Sequence, residues 1–404
     1  MRRNFLFMKS QTKLFCLAML TCSLLLFNAC KKDTANDSLK PSLSLSNATN
    51  SLATLATTNS GGYSTTTGAG SLAAVTVTNL SQLQTAISNG NRHIIISGNI
   101  YGGSVPLTFT FSTTAWNNTT IEGASGGGAI LQNIQLKFDG ELLSSGTNIQ
   151  NILVKNITFY GNIPALQALP SSETDISVSG NHSGVNYLGV SFRRCTNVWF
   201  DHCAIYNTSD DLWCATLLSD NLTISYCHFY FTSSWLNMSP NPSWNWVGNY
   251  QPLADERLCA VIGQNYTDSY TYGSQKLHIT MHHNWFGPLL KGRPLCRGYV
   301  HFYNNYFDNS TSGSGQYNAI QIGSGSKVYS ESNYFYQTNQ TNQVGLDDAT
   351  HTAYTFCEQN NTYNTSSIGV SGAAWPGSTP VSYTYSVIAA SSVPSTVQSQ
   401  AGPH

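Results

Sequence analysis

An all-β, single-stranded right-handed parallel β-helix is the fold this sequence predicts, and three observations predict it. A nine-residue pattern with an apolar second and usually an apolar fourth position, Asn or Cys usually seventh and an aromatic residue or Ile ninth, occurs seven times, the match from Thr355 being the weakest. It reads NILVKNITF from Asn151, NVWFDHCAI from Asn197, NLTISYCHF from Asn221, HITMHHNWF from His278, YVHFYNNYF from Tyr299, KVYSESNYF from Lys327 and TFCEQNNTY from Thr355. Of the spacings, 46, 24, 57, 21, 28 and 28 residues, two fit one solenoid turn of roughly 22–25 residues, the first fits two turns, and the longer ones fit turns with loops inserted. Finally, charged residues are only 9 % of the chain against about 25 % in an average globular protein. Gly, Ser, Thr, Asn and Tyr fill the gap, a composition suited to strands and turns rather than to a helical bundle.

The 404 residues suffice for one large domain or two ordinary ones. Residues 1–30 read as a targeting segment, with Arg2, Arg3, Lys9 and Lys13 ahead of an apolar run over 14–27. Ala29-Cys30 follows that run, as in a bacterial lipoprotein signal, so a lipid anchor on Cys30 and an extracytoplasmic or outer-membrane location are expected. Residues 31–70, rich in Ser, Thr and Asn without periodicity, are expected as a flexible tether, and 71–404 as the β-helix domain, acting as a monomer.

Beyond the leader the chain holds 14 basic and 19 acidic residues, the 18 basic residues of the whole less the four named above, for a net charge of −5. No basic face exists to neutralise phosphates, which excludes nucleic acid as a partner. Seven cysteines follow Cys30 without a CxxC pair, a pattern of buried thiols rather than of a zinc site or disulfide framework.

Taken in order, Val75–Val77 and His93–Ile96 read as strands, and Ser81 as the cap of a short helix through Leu83 and Ile87. In the repeats, the seventh position falls in one column inside the coil. Asn284, Asn305, Asn333 and Asn361 form an asparagine ladder there, with Cys203 and Cys227 stacked above it. The 57-residue interval carries Trp235, Trp244 and Trp246. A loop this long and aromatic suits stacking on sugar rings, with Trp235 the candidate contact, or equally packing over the coil.

Residues 281–307 hold the sharpest functional signal. Only eleven of the 334 residues from Ser71 onward are Lys or Arg, and Lys291, Arg293 and Arg297 fall within seven positions. Such a cluster in a charge-poor chain points to an anionic ligand. An extended solenoid groove suits a polymer, and an acidic polysaccharide of uronic acids is the candidate. Its cleavage by β-elimination requires cations to neutralise the carboxylate beside C5, and a base within hydrogen-bond reach of the C5 proton.

The chain resembles polysaccharide lyase family 1, the pectate and pectin lyases. Asn197-Val198-Trp199-Phe200-Asp201-His202 matches that family's vWiDH motif, and Arg293-Pro294-Leu295-Cys296-Arg297 with Val300-His301 and Asn304-Asn305 resembles its RxPxxR…VHxxNN block. The likeness runs from about Val75 to the terminus. It implies a secreted pectate lyase-like enzyme with Arg293 as base and Arg297 as carboxylate binder, or the reverse. Arg257 sits near the family's substrate-binding lysine, and Lys291 joins it as a substrate contact. Asp201 and His202 are implied to be mainly structural.

The resemblance also implies calcium, held by one Asp before vWiDH and a DxxxD pair after it. Here those positions fall on Leu188, Asp210 and Cys214, with Asp211 beside the survivor. A hard cation wants several oxygen ligands, so a calcium site on Asp210 and Asp211 is expected to be weak or absent. Arg193 and Arg194 lie nearby as candidate partners for the substrate carboxylate in its place. Two other readings stay open. A β-helix glycoside hydrolase would need paired carboxylates such as Asp210-Asp211 or Asp255-Glu256, and a surface glycan-binding protein would need no catalysis.

Overall fold

The repeats stack in the register their pattern dictates. Ile152, Val198, Leu222, Ile279, Val300, Val328 and Phe356, the second residue of each repeat, are successive partners in one parallel sheet. In this computed structural model the described residues are 59–246, 248–268, 276–292, 294–310, 318–338, 340–344, 353–369, 372–373 and 380–404. The leader and residues 31–58 lie outside them, as does Arg293.

Three parallel sheets form the coil among the described residues, with ten strands in sheet A, nine in B and eight in C. The chain passes repeatedly from C to A to B. Sheet A carries the repeats, from Val75–Val77 and His93–Ile96 through to Thr355–Gln359. Sheet C runs from Leu107–Phe111 and Ile134–Asp139 through Val190–Arg193, Trp213–Thr216, Ala260–Ile262 and Leu295–Cys296 to Asn318–Ile322 and Gln340–Val344. Alternate residues face inward, and like side chains stack along the axis. Phe286, Phe307 and Phe335 are nearly parallel, with centroids 4.7 and 4.6 Å apart.

The A-to-B corner explains the seventh-position column. The sixth residue of each repeat (Asn156, His202, Tyr226, His283, Asn304, Ser332 and Asn360) is in the left-handed region, so the chain turns in one step and the seventh side chain points into the coil. Asn305 Nδ2 donates to Asn333 Oδ1 at 3.0 Å, Asn284 Nδ2 donates to Asn305 Oδ1 at 3.0 Å, and Cys227 N donates to Asn284 Oδ1 at 2.9 Å. The ladder therefore gives buried amides the partners they require. Cys203 and Cys227 occupy the same column, and all seven cysteines of the domain are buried free thiols.

Three expectations need correction. The 46-residue spacing is one coil, since Ile149–Lys155 pairs directly with Cys195–Asp201. The extra length is an insertion between sheets B and C that holds the short helices Ile163–Gln167 and Ser171–Thr174. The helix after the first strand, Leu80–Ser88, is capped by Asn79, which accepts from Gln82 N at 3.0 Å, not by Ser81.

The tether also ends earlier than expected, because residues 59–70 lie across the outer face of sheet A. Ser64 N donates to Thr223 Oγ1 at 2.9 Å, Thr65 N to Asn197 Oδ1 at 2.7 Å and Ala69 N to Thr120 Oγ1 at 2.8 Å. Small residues make this possible. A Cβ at Gly62 would lie 2.4 Å from Thr223 Oγ1, and one at Gly68 2.2 Å from Thr120 Oγ1. The last helix, Val393–Gln400, buries Val393 and Val397 against Tyr306 on the outside of sheet B.

Candidate active site

Sheet C presents two outward rows. Phe111, Phe138, Phe192, Ala215, Ile262, Cys296 and Ile322 fill the coil. The residues before them, Lys137, Ser191, Cys214, Val261, Leu295 and Gln321, form the first outward row. Asp139, Arg193 and Thr216 begin the second. Beyond the strand ends Gly263, Arg297 and Gly323 continue it, as Arg297 N donates to Ile262 O at 2.9 Å and Gly323 N to Cys296 O at 2.7 Å.

Arg297 is seated between two glycines. A Cβ at Gly323 would fall 2.7 Å from Arg297 Cγ, and one at Gly263 2.9 Å from Arg297 Cβ. The guanidinium is buried and donates through Nη1 to Gly263 O. Gly263 has φ +80°, a conformation glycine adopts without penalty. Asp268 stands beside this arginine. Its carboxylate accepts from the backbone N–H groups of Leu217, Leu218 and Gln264. Burial raises its pKa, opposed by those three bonds and by the Arg297 charge.

Lys291 and Arg297, close in sequence, do not sit in one turn. The strand Leu295–Cys296 separates Lys291, which precedes it, from Arg297, which follows it. Lys291 N donates to Arg257 O at 2.8 Å, so Lys291 and Arg257 meet on successive coils. Arg257 is buried, and its Nη1 donates to Leu289 O at 2.7 Å.

Arg193 and Arg194 have internal partners. Arg193 Nε lies 3.2 Å from Asp139 Oδ2, and its Nη2 pairs with Glu141. Arg194 donates to the carbonyls of Glu141, Leu143 and Ser144. It therefore holds the turn after Ile134–Asp139 rather than offering its fork to a ligand. A cavity of about 700 Å³ on this side is lined by Glu141, Arg194, Leu217, Leu218, Asp268 and Lys276 among others.

Comparison with known proteins places this geometry. Residues 249–404 match the family described as pectate lyase. A pectate lyase of Bacillus subtilis is 28 % identical over 222 residues, 54 % of this chain and 47 % of that protein. A pectin lyase of Pectobacterium carotovorum is 22 % identical over 338 residues, 81 % of this chain and 88 % of that protein. Among solved structures, a pectate lyase from a Bacillus species in complex with trigalacturonate superposes with a TM-score of 0.58 at 20 % identity, covering 84 % of this chain and 98 % of that one. Pectate lyase II of Xanthomonas campestris gives 0.57 at 20 % identity, over 85 % and 97 %. Over its C-terminal part, residues 249–404, the chain resembles the pectate lyases. At these identities the solved structures establish the fold. The chain spans about half the length of the first two curated relatives, 47 % and 49 %.

Calcium does not fit the positions to which the resemblance assigns it. Leu188 offers no oxygen and is buried. Cys214 lies in the first outward row with Sγ 3.1 Å from Ser191 Oγ, and burial pushes its thiol up to about 12. A neutral thiol is a poor ligand for a hard cation. Asp210 Oδ1 accepts from Asp211 N at 2.8 Å, and Asp211 is buried. Among the described residues no group of three or more His, Cys, Asp or Glu side chains is arranged to hold a metal ion.

Trp235 is not a sugar platform. It is fully buried, and its Nε1 donates to Glu256 O at 3.1 Å. Trp244 is buried as well, while Trp246 donates to Ser209 O at 2.9 Å. The long aromatic loop therefore packs over the coil. Asp201 ends a strand of sheet A and His202 turns the corner after it; His202 Nδ1 lies 2.7 Å from Asp201 Oδ2 and the imidazole stacks on Tyr226 at 4.7 Å. Trp199 and Asp201 are joined through Ser225 Oγ, which accounts for the motif as a brace between coils.

Sequence reasoning passed over Lys137, Asp139 and Glu141. They lie more than fifty positions before Arg193, and only strand pairing brings Asp139 opposite it.

Proposed function

We propose that this chain is a secreted polysaccharide lyase that cleaves a pectate- or pectin-like uronic-acid polymer by β-elimination on the outer face of sheet C. The observation that carries the reading is Arg297, held between Gly263 and Gly323 on the outward row of a β-helix shared with pectate lyases. Elimination breaks C5–H and the C4–O bond, forms the C4=C5 double bond and protonates the leaving oxygen. Arg297 is assigned to the substrate carboxylate, whose neutralisation acidifies the C5 proton, and Arg293 to the base. The basic and apolar leader ending in Cys30 supports a location at the cell exterior with a lipid anchor, and the enzyme is proposed to act as a monomer.

Incubation with polygalacturonate, methylated pectin and other uronans should produce the ultraviolet absorbance of an unsaturated uronate. Reducing ends without that absorbance would favour a hydrolase, and binding without turnover a glycan-binding protein. Either result overturns the lyase reading.

The glycines around Arg297 give a second test. Gly323 lies outside the left-handed region, so an added Cβ carries no backbone strain of its own but meets Arg297 Cγ at 2.7 Å, Cys296 O at 2.9 Å and Leu295 Cδ1 at 3.3 Å. Gly323→Ala should fold yet displace the guanidinium, lowering kcat/KM by roughly 10- to 100-fold. An unchanged kcat/KM would detach Arg297 from the reaction.

A further inference from the structure

The charge on the outer face of sheet C is arranged around a carboxylate that already has its cations. Lys137 Nζ lies 2.9 Å from Asp139 Oδ2, and Arg193 Nε lies 3.2 Å from the same oxygen while its Nη2 pairs with Glu141. Burial pushes the Asp139 carboxyl up, but bonds from Lys137 and the Glu141 N–H, with the Arg193 charge, outweigh it and hold the carboxyl below its usual range. A divalent cation entering here would have to displace an ammonium or a guanidinium.

The rest of the floor offers no substitute. Along the first outward row Lys137 is followed by Ser191, Cys214, Val261 and Leu295, none of them charged. Lys137 and Leu295 are four strand steps apart, roughly 19 Å at ~4.8 Å per step. A polyuronate lying along the row would meet an ammonium at one end and the Arg297 neighbourhood at the other. Lys137 is suited to that contact, since its side chain is 32 % exposed and an ammonium has three N–H donors, of which Asp139 engages one.

We propose that this chain binds its anionic substrate without a divalent cation, the positive charge being supplied by the protein, with Lys137 as a substrate-contacting residue four coils from the Arg297 end. The inference rests on the lyase reading for its substrate class, but it makes a separate claim about metal.

The test uses the domain stripped with EDTA. Calcium chloride titrated into it should give no saturable heat, and its Tm should be equal in EDTA and in millimolar calcium. Trigalacturonate should bind in EDTA, and Lys137→Gln should weaken that binding about tenfold, as expected for one charge-assisted hydrogen bond, while Lys137→Arg retains most of it. A saturable calcium site with a Kd below about 1 mM, typical of the weaker protein calcium sites, or trigalacturonate binding only with calcium, overturns the proposal. So does equal affinity in Lys137→Gln and the wild type. Unsaturated product formed only with calcium would leave the lyase reading intact and remove this one. Calcium-free, Lys137-dependent binding without product would do the reverse.

Discussion

Between pH 7 and pH 4 the folded domain should lose several kcal/mol of stability, because closely packed imidazoles are held neutral. His228 lies between Trp285 and Tyr230 and donates through Nε2 to Gly287 O at 2.8 Å. His282 Nε2 donates to Ser60 O at 2.7 Å, and its Nδ1 lies 3.0 Å from His283 Nδ1. A carbonyl only accepts, so His282 carries its proton on Nε2 and its Nδ1 accepts from His283. A further proton on that nitrogen would set N–H against N–H. Burial lowers His228 and His283 to about 4, and burial with the His283 charge pushes His282 well below the usual range. The unfolded chain titrates near 6.5. Below that pH it binds protons the folded state refuses, so stability is complete above 6.5 and falls until about 4. The difference of roughly 2.5 units corresponds to about 3 kcal/mol for the buried His283 and to less for the partly exposed His228, whose charge water screens, against a total of about 5–15 kcal/mol. Urea unfolding at pH 7, 5.5 and 4.5 measures the slope. His283→Asn keeps a residue that tolerates the left-handed backbone and should flatten it. A stability independent of pH over this range, or an unaltered slope in His283→Asn, would show that these rings are hydrated and titrate freely.

The sheet A partners were legible in the sequence from Asn151 onward because one rule governs the seven repeats. The second position, always apolar, and the fourth, usually so, face inward, and the sixth residue takes the left-handed turn that sends the seventh into the column. The first coils were not legible, because His93–Ile96 and Thr119–Gly123 belong to sheet A without an Asn or Cys at the corner. Nor does length separate a second coil from an insertion, as the interval between Asn151 and Asn197 demonstrates. The strap over 59–70 looks like a tether because the Ser, Thr and Gly residues that permit close approach to sheet A also mark linkers.

The site was legible where residue type alone carries the signal. A run of cations in a charge-poor chain marked Lys291 to Arg297, though not the strand that divides them. Burial was not legible: Trp235 has the composition of a sugar platform and the accessibility of a core residue. Pairing was equally hidden. Arg193 reads as a free cation until Asp139 is brought opposite it across the coil.

Arg297→Ala should then reduce kcat/KM on the preferred uronan by about 10²–10³-fold, the usual effect of removing one oriented group from a developing charge. The variant also leaves Gly263 O without the Nη1 donor, which costs about 1–3 kcal/mol, so Tm should fall by several degrees while the domain remains folded at 25 °C. Arg297→Lys separates the two effects. Lysine restores the charge but not the planar fork, and the seat between Gly263 and Gly323 fits the arginine stem closely. Activity should stay at least tenfold down even if Tm recovers. A buried guanidinium already donating to a carbonyl is better placed to hold a carboxylate than to take a proton, since arginine keeps its own far above neutral pH. The variant should therefore raise KM as well as lower kcat, and Arg293→Ala should lower kcat with KM nearly unchanged. If Arg297→Ala retains activity within threefold of wild type, the carboxylate is held elsewhere and Arg297 is only a brace between coils.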